Sequence, residues 1–432
     1  MLRITAAAVS GSGNRSRLLK VRDFSVHSSV TKIGFLTTHP IQYQVPWVQA
    51  LAQEADIDLT VFYCMMPDEL QQGDGFGVKF KWDIPLLDGY RYEVLNNVAK
   101  MPSVTRFRGC DTPGIGKIVR DGGFDAFIVN GWNVKSCLQL LLTCRRLGVP
   151  CIVRGESNAM RPRPWWVRVI HKILLRQYAA FLAIGKSNRD FYLNYGVPEE
   201  KIFWAPYGVD NGRLHAQADV SSPERNRIRS GWGIPEDAVT FLYCAKFIEK
   251  KRPLDLIEAL SLAIQRTAKE SIHLLMAGDG ELRAKCEEIA RASNLPVTFT
   301  GFLNQREIVR AYVASDCLIL PSDYGETWGL VVNEAMACGR PAIVSDRVGC
   351  YPDLILPGNT GEVFPFGDVK ALSYIMVSFV STPETLRKMG ESAEKMVGRY
   401  SVSAVVSGCI DAIRYVCPDR SGPAGILFKG DR

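Results

Sequence analysis

Two series of short apolar runs, each alternating with stretches of helical periodicity, are the feature of this sequence that most limits its fold. We predict strands at 32–37, 59–64, 124–129, 149–154 and 180–183, and again at 239–245, 273–277, 297–300, 317–321 and 341–344. Helices are predicted between them, in the second series near 253–269, 280–294, 305–314 and 330–338. This alternation is typical of parallel sheets covered by helices. The expected fold class is therefore α/β, with two doubly wound, Rossmann-like domains that face each other across a cleft.

The domain organisation follows from these two series. A chain of 432 residues is long enough for two domains of ordinary size. We predict an N-terminal Rossmann-like domain at 31–210, a polar linker at 211–236 and a second doubly wound domain at 237–400. A final helix at about 401–417 is expected to pack back on the first domain. Ligands of such sheets bind beyond the carboxyl ends of the strands, so the loops at the cleft are the expected functional region.

Residues 1–30 read as a basic, serine-rich tail. They carry five Arg or Lys residues and a single acid, Asp23. Two interpretations remain open, a disordered tail and an organelle-targeting segment, and the first is favoured.

Composition limits the partners and the compartment. The net charge of +7 is spread along the chain, which favours a phosphate-bearing substrate or an anionic membrane surface over nucleic acid. The 12 cysteines form no C-x-x-C pair and lie mostly in apolar runs. This pattern indicates a reducing compartment, with neither a disulfide framework nor a zinc site. No apolar run approaches the ~18 residues that span a bilayer. We therefore expect a cytoplasmic protein whose contact with membrane is peripheral.

Two glutamates frame the predicted strand-loop-helix-strand unit DYGETWGLVVNEAMACGRPAIVSD at 323–346. Glu326 precedes the helix and Glu334 lies about one turn inside it, so both carboxylates can face one cleft and accept hydrogen bonds from sugar hydroxyls. The free N–H groups near Leu330 and Val331 would favour a diphosphate. The alternative is that the two glutamates only complement the helix dipole and aid solubility.

A pair of lysines lies in the corresponding loop of the preceding unit, FLYCAKFIEKKRPLDLIEAL. Lys246 follows a predicted strand and Lys251 precedes a predicted helix, so both ammonium groups can reach the same cleft. There they would neutralise a pyrophosphate leaving group. The alternative is a solvated basic loop.

Taken together, these segments resemble the donor-binding domain of the retaining family-4 glycosyltransferases, which have the GT-B fold. The resemblance runs from about Thr240 to Asp368. It is carried by AKFIEKKRPLDLIEAL, MAGDGELR, VTFTGFLNQREIVRAYVASDCLILPS and the E-x7-E motif from Glu326 to Glu334, which continues into EAMACGRPAIVSD.

The resemblance implies a role for each matching residue. Glu326 would approach the donor sugar, and Glu334 would hold the ribose hydroxyls. Lys246 and Lys251 would grip the diphosphate, with the backbone at Gly329, Leu330 and Val331 completing the phosphate site. Lys246 is a departure, because the family more often has arginine there; lysine keeps the charge but loses the bidentate fork.

The first half resembles the family less, as expected if it binds a variable acceptor. THPIQY stands where relatives often have a Gly-Gly pair, and Gly131, Trp132 and Asn133 stand where many have a histidine. Candidates for contact with the acceptor or the sugar are His39, Asn133, Arg154 and Glu156. The alternatives are a structural role for His39 and an internal ion pair between Arg154 and Glu156.

The run RPRPWWVRVIHKILLRQY is basic, carries two tryptophans and has helical periodicity. It predicts either an interfacial helix that contacts anionic membrane through 161–176, or a packed helix with a cationic outer face.

The predicted function is transfer of a sugar, with retention, from a nucleotide-diphosphate sugar to a glycan, lipid-linked or other hydroxyl acceptor. The nucleotide sugar is a substrate, and no cofactor is expected. No metal is expected either, because the single D-x-D, Asp56 to Asp58, precedes a strand. Two alternatives stay open: a nucleotide-sugar epimerase of the same fold, and a non-catalytic nucleotide-sugar-binding subunit.

Overall fold

A computed structural model describes residues 30–72 and 79–418, so the tail predicted for 1–30 lies, apart from Val30, outside the described residues. The strands of the first lobe are β1 Thr31–Thr37, β2 Ile57–Tyr63, β3 Arg91–Val94, β4 Ala126–Asn130, β5 Cys151–Arg154, β6 Ala180–Ala183 and β7 Ile202–Trp204. Its helices are α1 Val45–Ala52, α2 Glu69–Gln72, α3 Ile115–Asp121, α4 Lys135–Leu147, α5 Trp165–Leu175 and α6 Lys186–Asn194.

These strands form one parallel sheet in the order β3-β2-β1-β4-β5-β6-β7. Apolar residues fill both faces of the sheet, which is why the central strands read as continuous hydrophobic runs. The order changes direction between β1 and β4, so the loops that leave these two strands diverge and open a crevice.

The second lobe begins with α7 Asn211–Ser221 and α8 Arg225–Gly231. Its strands are β8 Val239–Cys244, β9 Ile272–Ala277, β10 Val297–Gly301, β11 Cys317–Leu320, β12 Ala342–Ser345 and β13 Gly361–Phe364. Its further helices are α9 Pro253–Ala263, α10 Arg283–Ala292, α11 Ile308–Ala314, α12 Leu330–Ala337, α13 Tyr351–Leu354, α14 Val369–Ser381 and α15 Pro383–Val397. The strands are parallel in the order β10-β9-β8-β11-β12-β13, with the change of direction between β8 and β11. The prediction of two doubly wound α/β domains is confirmed.

Residues 211–236, for which we predicted a linker, are instead mostly helical. Both α7 and α8 pack against α11 of the second lobe. The charges that made this stretch look solvated have partners there: Arg225 binds Asp316 at 2.7 Å, and the buried Arg229 donates to the carbonyl oxygen of Ala314 at 3.2 Å. Polar composition alone therefore did not distinguish a linker from helices anchored by arginines.

The two lobes are joined by several polar contacts and by a shared apolar cluster. Asp353 of α13 accepts hydrogen bonds from the backbone N–H of Lys186 at 3.0 Å and from the Tyr400 hydroxyl at 3.1 Å. The last described helix, α16 Val402–Val416, packs on α1, β6 and β7 of the first sheet. The chain therefore passes from the first lobe to the second and back again.

Candidate functional site

The two switch points face each other, and a cleft of about 680 Å³ lies between them. We call it the large cleft. Most of the predicted residues border it: Lys246, Lys251, Glu326, Gly329, Leu330, Val331 and Glu334 from the second lobe, with His39 and Glu156 from the first. Residues at least 75 positions apart in sequence, such as Lys251 and Glu326, are brought together because the loops after β8 and β11 leave adjacent strands on the same edge.

Gly329 sets the direction of the loop that enters α12. Its backbone angle φ is +102°, a conformation that residues with a side chain rarely adopt. A Cβ there would lie 2.8 Å from the Leu320 side chain and 3.2 Å from that of Val348, so the close approach of the loop to β11 needs glycine. The first N–H groups of α12, at Leu330 and Val331, have no partner within the helix and point toward the large cleft.

Lys251 forms an ion pair with Glu326 on the cleft wall, and both side chains are largely buried. Burial, together with the nearby Lys250 and Lys246 ammonium groups, lowers the pKa of Lys251 to about 7. The Glu326 carboxylate compensates the Lys251 charge while the cleft holds no anion. A bound diphosphate would take over this role, because it brings two negative charges to the same loop.

Lys246 borders the cleft from the start of the same loop. Its carbonyl oxygen accepts a hydrogen bond from the Tyr243 hydroxyl at 2.9 Å, which fixes the backbone as it leaves β8. The two lysines therefore approach the cleft from opposite ends of one short loop.

Glu334 lies deeper, inside α12. Its carboxylate accepts a hydrogen bond from the Tyr312 hydroxyl at 2.7 Å. Burial raises the pKa of the Glu334 carboxyl, while the bonds from Tyr312 and Gln305 and the charge of Arg213 act in the opposite direction. The sequence reasoning missed Tyr312, because a tyrosine in an amphipathic helix reads as a core residue.

A smaller cavity of about 440 Å³ adjoins the large cleft in the first lobe, and we call it the small pocket. It is lined by all four first-domain candidates, His39, Asn133, Arg154 and Glu156, and also by Asn158, Arg161 and Arg163. The loop with Thr327 of the second lobe closes one side. The pocket lies at the carboxyl ends of β1, β4 and β5, at and beside the first switch point.

His39 borders both cavities. Burial lowers its pKa to about 4, so the ring is neutral at neutral pH. Its Nδ1 lies 2.9 Å from the Thr38 hydroxyl, which leaves Nε2 for a ligand. A neutral imidazole at this place can exchange a hydrogen bond with a hydroxyl or a phosphate but supplies no charge.

Glu156 connects the lobes. Its carboxylate accepts one hydrogen bond from the Tyr207 hydroxyl and another from the Thr327 hydroxyl at 3.3 Å. Arg154 makes no ion pair with Glu156 in the described part of the chain, so the alternative of an internal pair is wrong. The Arg154 guanidinium lies instead over the rings of Tyr207 and Trp47, at 4.4 Å and 5.6 Å from their centroids.

The loop after β4 carries Trp132 and Asn133, which stand where many relatives have a histidine. Trp132 stacks on Phe191 with ring centroids 6.2 Å apart and packs so closely on Gly155 that a Cβ there would come within 2.4 Å. Its ring thus supports the pocket wall. Asn133, beside it, is exposed.

The apolar face of α5 is not covered by any other part of the described chain. Trp165 is 76% exposed and Ile173 59%, and Trp166, Val169 and Ile170 are each at least half exposed. These residues lie on one side of the helix, flanked by cationic residues, among them Arg161, Arg168 and Lys172. Within the described residues, the outer face of α5 is therefore apolar as well as cationic. Across the described ranges, no helix has the length and hydropathy of a membrane span.

Comparisons with known proteins agree with this geometry. Residues 224–396 match the family model of glycosyl transferases group 1. A GDP-mannose-dependent alpha-(1-6)-phosphatidylinositol dimannoside mannosyltransferase of Mycobacterium tuberculosis is 31% identical over 185 residues, which cover 42% of this chain and 45% of the relative. A sulfoquinovosyl transferase of Arabidopsis thaliana is 28% identical over 273 residues, covering 60% and 48%. The chain thus spans about half the length of these curated relatives.

Solved structures extend the likeness to nearly the whole chain. A glycosyltransferase from Rickettsia africae matches with a TM-score of 0.68 at 16% identity, covering 89% of this chain and 98% of that one. The Anabaena protein HepE in complex with UDP and glucose matches with a TM-score of 0.65 at 16% identity, covering 89% and 99%. At this identity the likeness concerns the fold. Residues 224–396 thus match the family of glycosyl transferases group 1, and the chain has the GT-B fold of the solved structures.

Proposed function

We propose that this chain is a retaining glycosyltransferase that moves a sugar from a nucleotide-diphosphate sugar to a hydroxyl acceptor. The observation that carries the proposal is the convergence of Lys246, Lys251, Glu326, Glu334 and the start of α12 on one cleft between two lobes. The second lobe, 211–400, is the donor domain, and the first, 31–210 with α16, is the acceptor domain.

The donor binds with its diphosphate between the lysine loop and α12. Lys246 and Lys251 compensate the charge that develops on the leaving diphosphate, and the N–H groups of Gly329, Leu330 and Val331 donate hydrogen bonds to its oxygens. Glu334 accepts hydrogen bonds from the ribose hydroxyls, with Tyr312 orienting its carboxylate. Glu326 turns toward the sugar when the diphosphate replaces it as the partner of Lys251.

The reaction breaks the bond between the anomeric carbon and the diphosphate oxygen, and the electron pair stays on that oxygen. The acceptor hydroxyl attacks the same face of the sugar, which retains the configuration, and its proton passes to the departing diphosphate. The enzyme then contributes mainly charge stabilisation and positioning.

The acceptor enters through the first lobe, where His39, Asn133, Arg154 and Glu156 border the small pocket. We infer that the protein is cytoplasmic and visits anionic membrane through 161–176. The exposed apolar face of α5 and its flanking cations support this inference.

The first test is a thermal-shift screen with UDP, GDP and ADP, followed by product analysis with the matching radiolabelled sugar nucleotides. We expect one nucleotide to raise the unfolding temperature, and label to move to an acceptor with its configuration kept. Epimerised donor would identify an epimerase, and binding without turnover a non-catalytic subunit; either result would overturn the proposal.

The matched pair of variants for this test is Lys251→Ala and Lys388→Ala. Both remove one ammonium group, but Lys388 is exposed on α15 and borders neither cavity. The proposal expects loss of nucleotide binding in the first variant alone.

A further inference from the structure

Arg154 is a buried cation without a hydrogen-bond acceptor. It is 1% exposed, and none of its three guanidinium nitrogens has an acceptor in the described part of the chain. Aromatic rings cover its flat faces but take none of its N–H donors. A guanidinium is costly to bury unless its donors are satisfied, so this arrangement needs a partner that the chain itself does not supply.

Arg154 forms part of the lining of the small pocket, so a ligand bound there is a candidate for that partner. Arg161 and Arg163 line the same cavity. Arg163 is held in place by its bonds to the carbonyl oxygens of Asn158 and Arg161, at 2.8 Å and 2.9 Å. Three arginines thus line a space of about 440 Å³.

The opposing charge in the pocket is small. Glu156 is the single carboxylate among the lining residues, and its oxygens already accept hydrogen bonds from Tyr207 and Thr327. His39 is neutral because burial lowers its pKa. Three positive charges against one negative charge leave the pocket cationic.

Two of the remaining lining groups suit hydroxyls. Asn133 is exposed and carries an amide, and the Oδ1 atom of Asn130 is buried and has no donor within the described residues. A ligand that matches the pocket therefore combines an anionic group with hydroxyls.

We propose that the small pocket binds the anionic group, a phosphate or a carboxylate, of a hydroxylated acceptor, with Arg154 at its base and Arg161 and Arg163 at its rim. The identification of the ligand as an acceptor rests on the proposed function, whereas the anion site itself does not. The anion would place the acceptor hydroxyl beside Glu156 and His39, where the small pocket joins the large cleft.

The binding test uses inorganic phosphate on the full chain, in the presence of a saturating concentration of the nucleotide that the thermal-shift screen selects. The nucleotide fills the large cleft, so calorimetry then reports phosphate bound elsewhere. We expect Arg154→Gln and Arg161→Gln each to weaken phosphate binding by about tenfold, as for the loss of one charge-assisted contact. Arg120→Gln, an exposed arginine on α3 outside both cavities, is the matched control and should bind as the wild type does.

The outcomes separate the two proposals. Phosphate binding that is absent, or unchanged in both pocket variants, would overturn the anion site; Arg161 is exposed, so its variant tests the idea even if Arg154→Gln fails to fold. Loss of nucleotide affinity in Arg154→Gln would also overturn it, because Arg154 would then serve the donor. If no nucleotide binds, the proposed function fails, whereas phosphate titrated alone still tests the pocket.

A second arm identifies the source of the anion. Radiolabelled donor is incubated either with vesicles of phosphatidylcholine and phosphatidylinositol or with soluble hexose and polyol phosphates. Label in the organic phase indicates a lipid headgroup, and label in the aqueous phase a soluble phosphate. Transfer to the phosphate-bearing acceptor at a rate unchanged by Arg161→Gln would contradict the proposal.

Discussion

Lys251 and Glu326, from the loops after β8 and β11, form an ion pair across the switch point of the second sheet. Each side chain is largely buried, so each charge compensates the other. Under the proposed function, this pairing would keep the lysine in place for a diphosphate and the glutamate near the position of the sugar.

Separate substitutions of Lys251 and Glu326 should distinguish their roles. Lys251→Ala is expected to weaken binding of the nucleoside diphosphate by about tenfold or more, because it removes about 1 to 3 kcal/mol of charge-assisted contact. Glu326→Gln should leave this binding nearly unchanged and lower kcat for transfer, because Glu326 faces the sugar. Calorimetry and initial rates measure the two effects. Equal losses of nucleotide affinity in both variants would contradict the assignment.

Donor affinity should depend on pH through Lys251. Its pKa is lowered to about 7 in the free protein, so the ammonium is present below pH 7 and is lost as the pH rises. A diphosphate binds the protonated form, and the Kd should therefore increase by up to about tenfold per pH unit above 7. Lys251→Arg, which stays charged, should flatten the profile. A wild-type Kd that is constant between pH 6 and 9 would refute this expectation.

Glu334 is expected to contribute through its carboxylate and Tyr312 through the orientation of that carboxylate. Glu334→Ala should cost about 1 to 3 kcal/mol in kcat/KM, and Tyr312→Phe a smaller amount, since it removes a single hydrogen bond. The nucleoside and its 2′,3′-dideoxy analogue should bind equally well to Glu334→Ala, while the wild type discriminates between them. Retained discrimination in the variant would place the ribose elsewhere.

Gly329→Ala should damage both stability and donor binding. The new Cβ meets the Leu320 side chain at 2.8 Å, and the positive φ adds strain of about 1 to 3 kcal/mol. Gly358→Ala is the control, since it has a positive φ of 76° with no atom near the new Cβ and lies outside both cavities. Both variants should unfold at lower temperature, but nucleotide affinity should fall in Gly329→Ala alone.

The exposed face of α5 should govern membrane binding. Trp165→Ser with Trp166→Ser is expected to lower co-sedimentation with vesicles that contain phosphatidylglycerol by at least about tenfold, because burial of each large apolar side chain contributes about 1.5 to 3 kcal/mol. Val220→Ser, an equally exposed apolar residue on α7, should have no effect. If the wild type co-sediments with these vesicles at low salt no more than background, the proposed membrane contact is refuted.

The central strands could be predicted from sequence because they are buried on both faces. β3 was missed: all four of its residues are exposed at the sheet edge, so it shows no apolar run. β7 and β13 were missed as well, since they lie at sheet edges and are only partly buried. Short edge strands form because a neighbouring strand offers hydrogen bonds, and that information is not local.

The positions of site residues could be predicted where their spacing along the chain determines them. They could not be predicted where packing between distant segments determines them. Glu326 and Glu334 could be placed on one cleft from the strand-loop-helix order alone. Nothing local indicated that Arg154 lies between Trp47 and Tyr207, which are separated by 160 positions. Periodicity identified α5 as amphipathic, but it does not report whether a neighbour covers the apolar face.

The return of α16 to the first sheet has a consequence for how the protein can be rebuilt. Because the described chain crosses between the lobes twice, a single cut cannot free either one, and an exchange of the first lobe with that of a relative would need two junctions, one before α7 and one before α16. Two chain connections also leave the lobes fewer ways to move relative to each other than a single connection would.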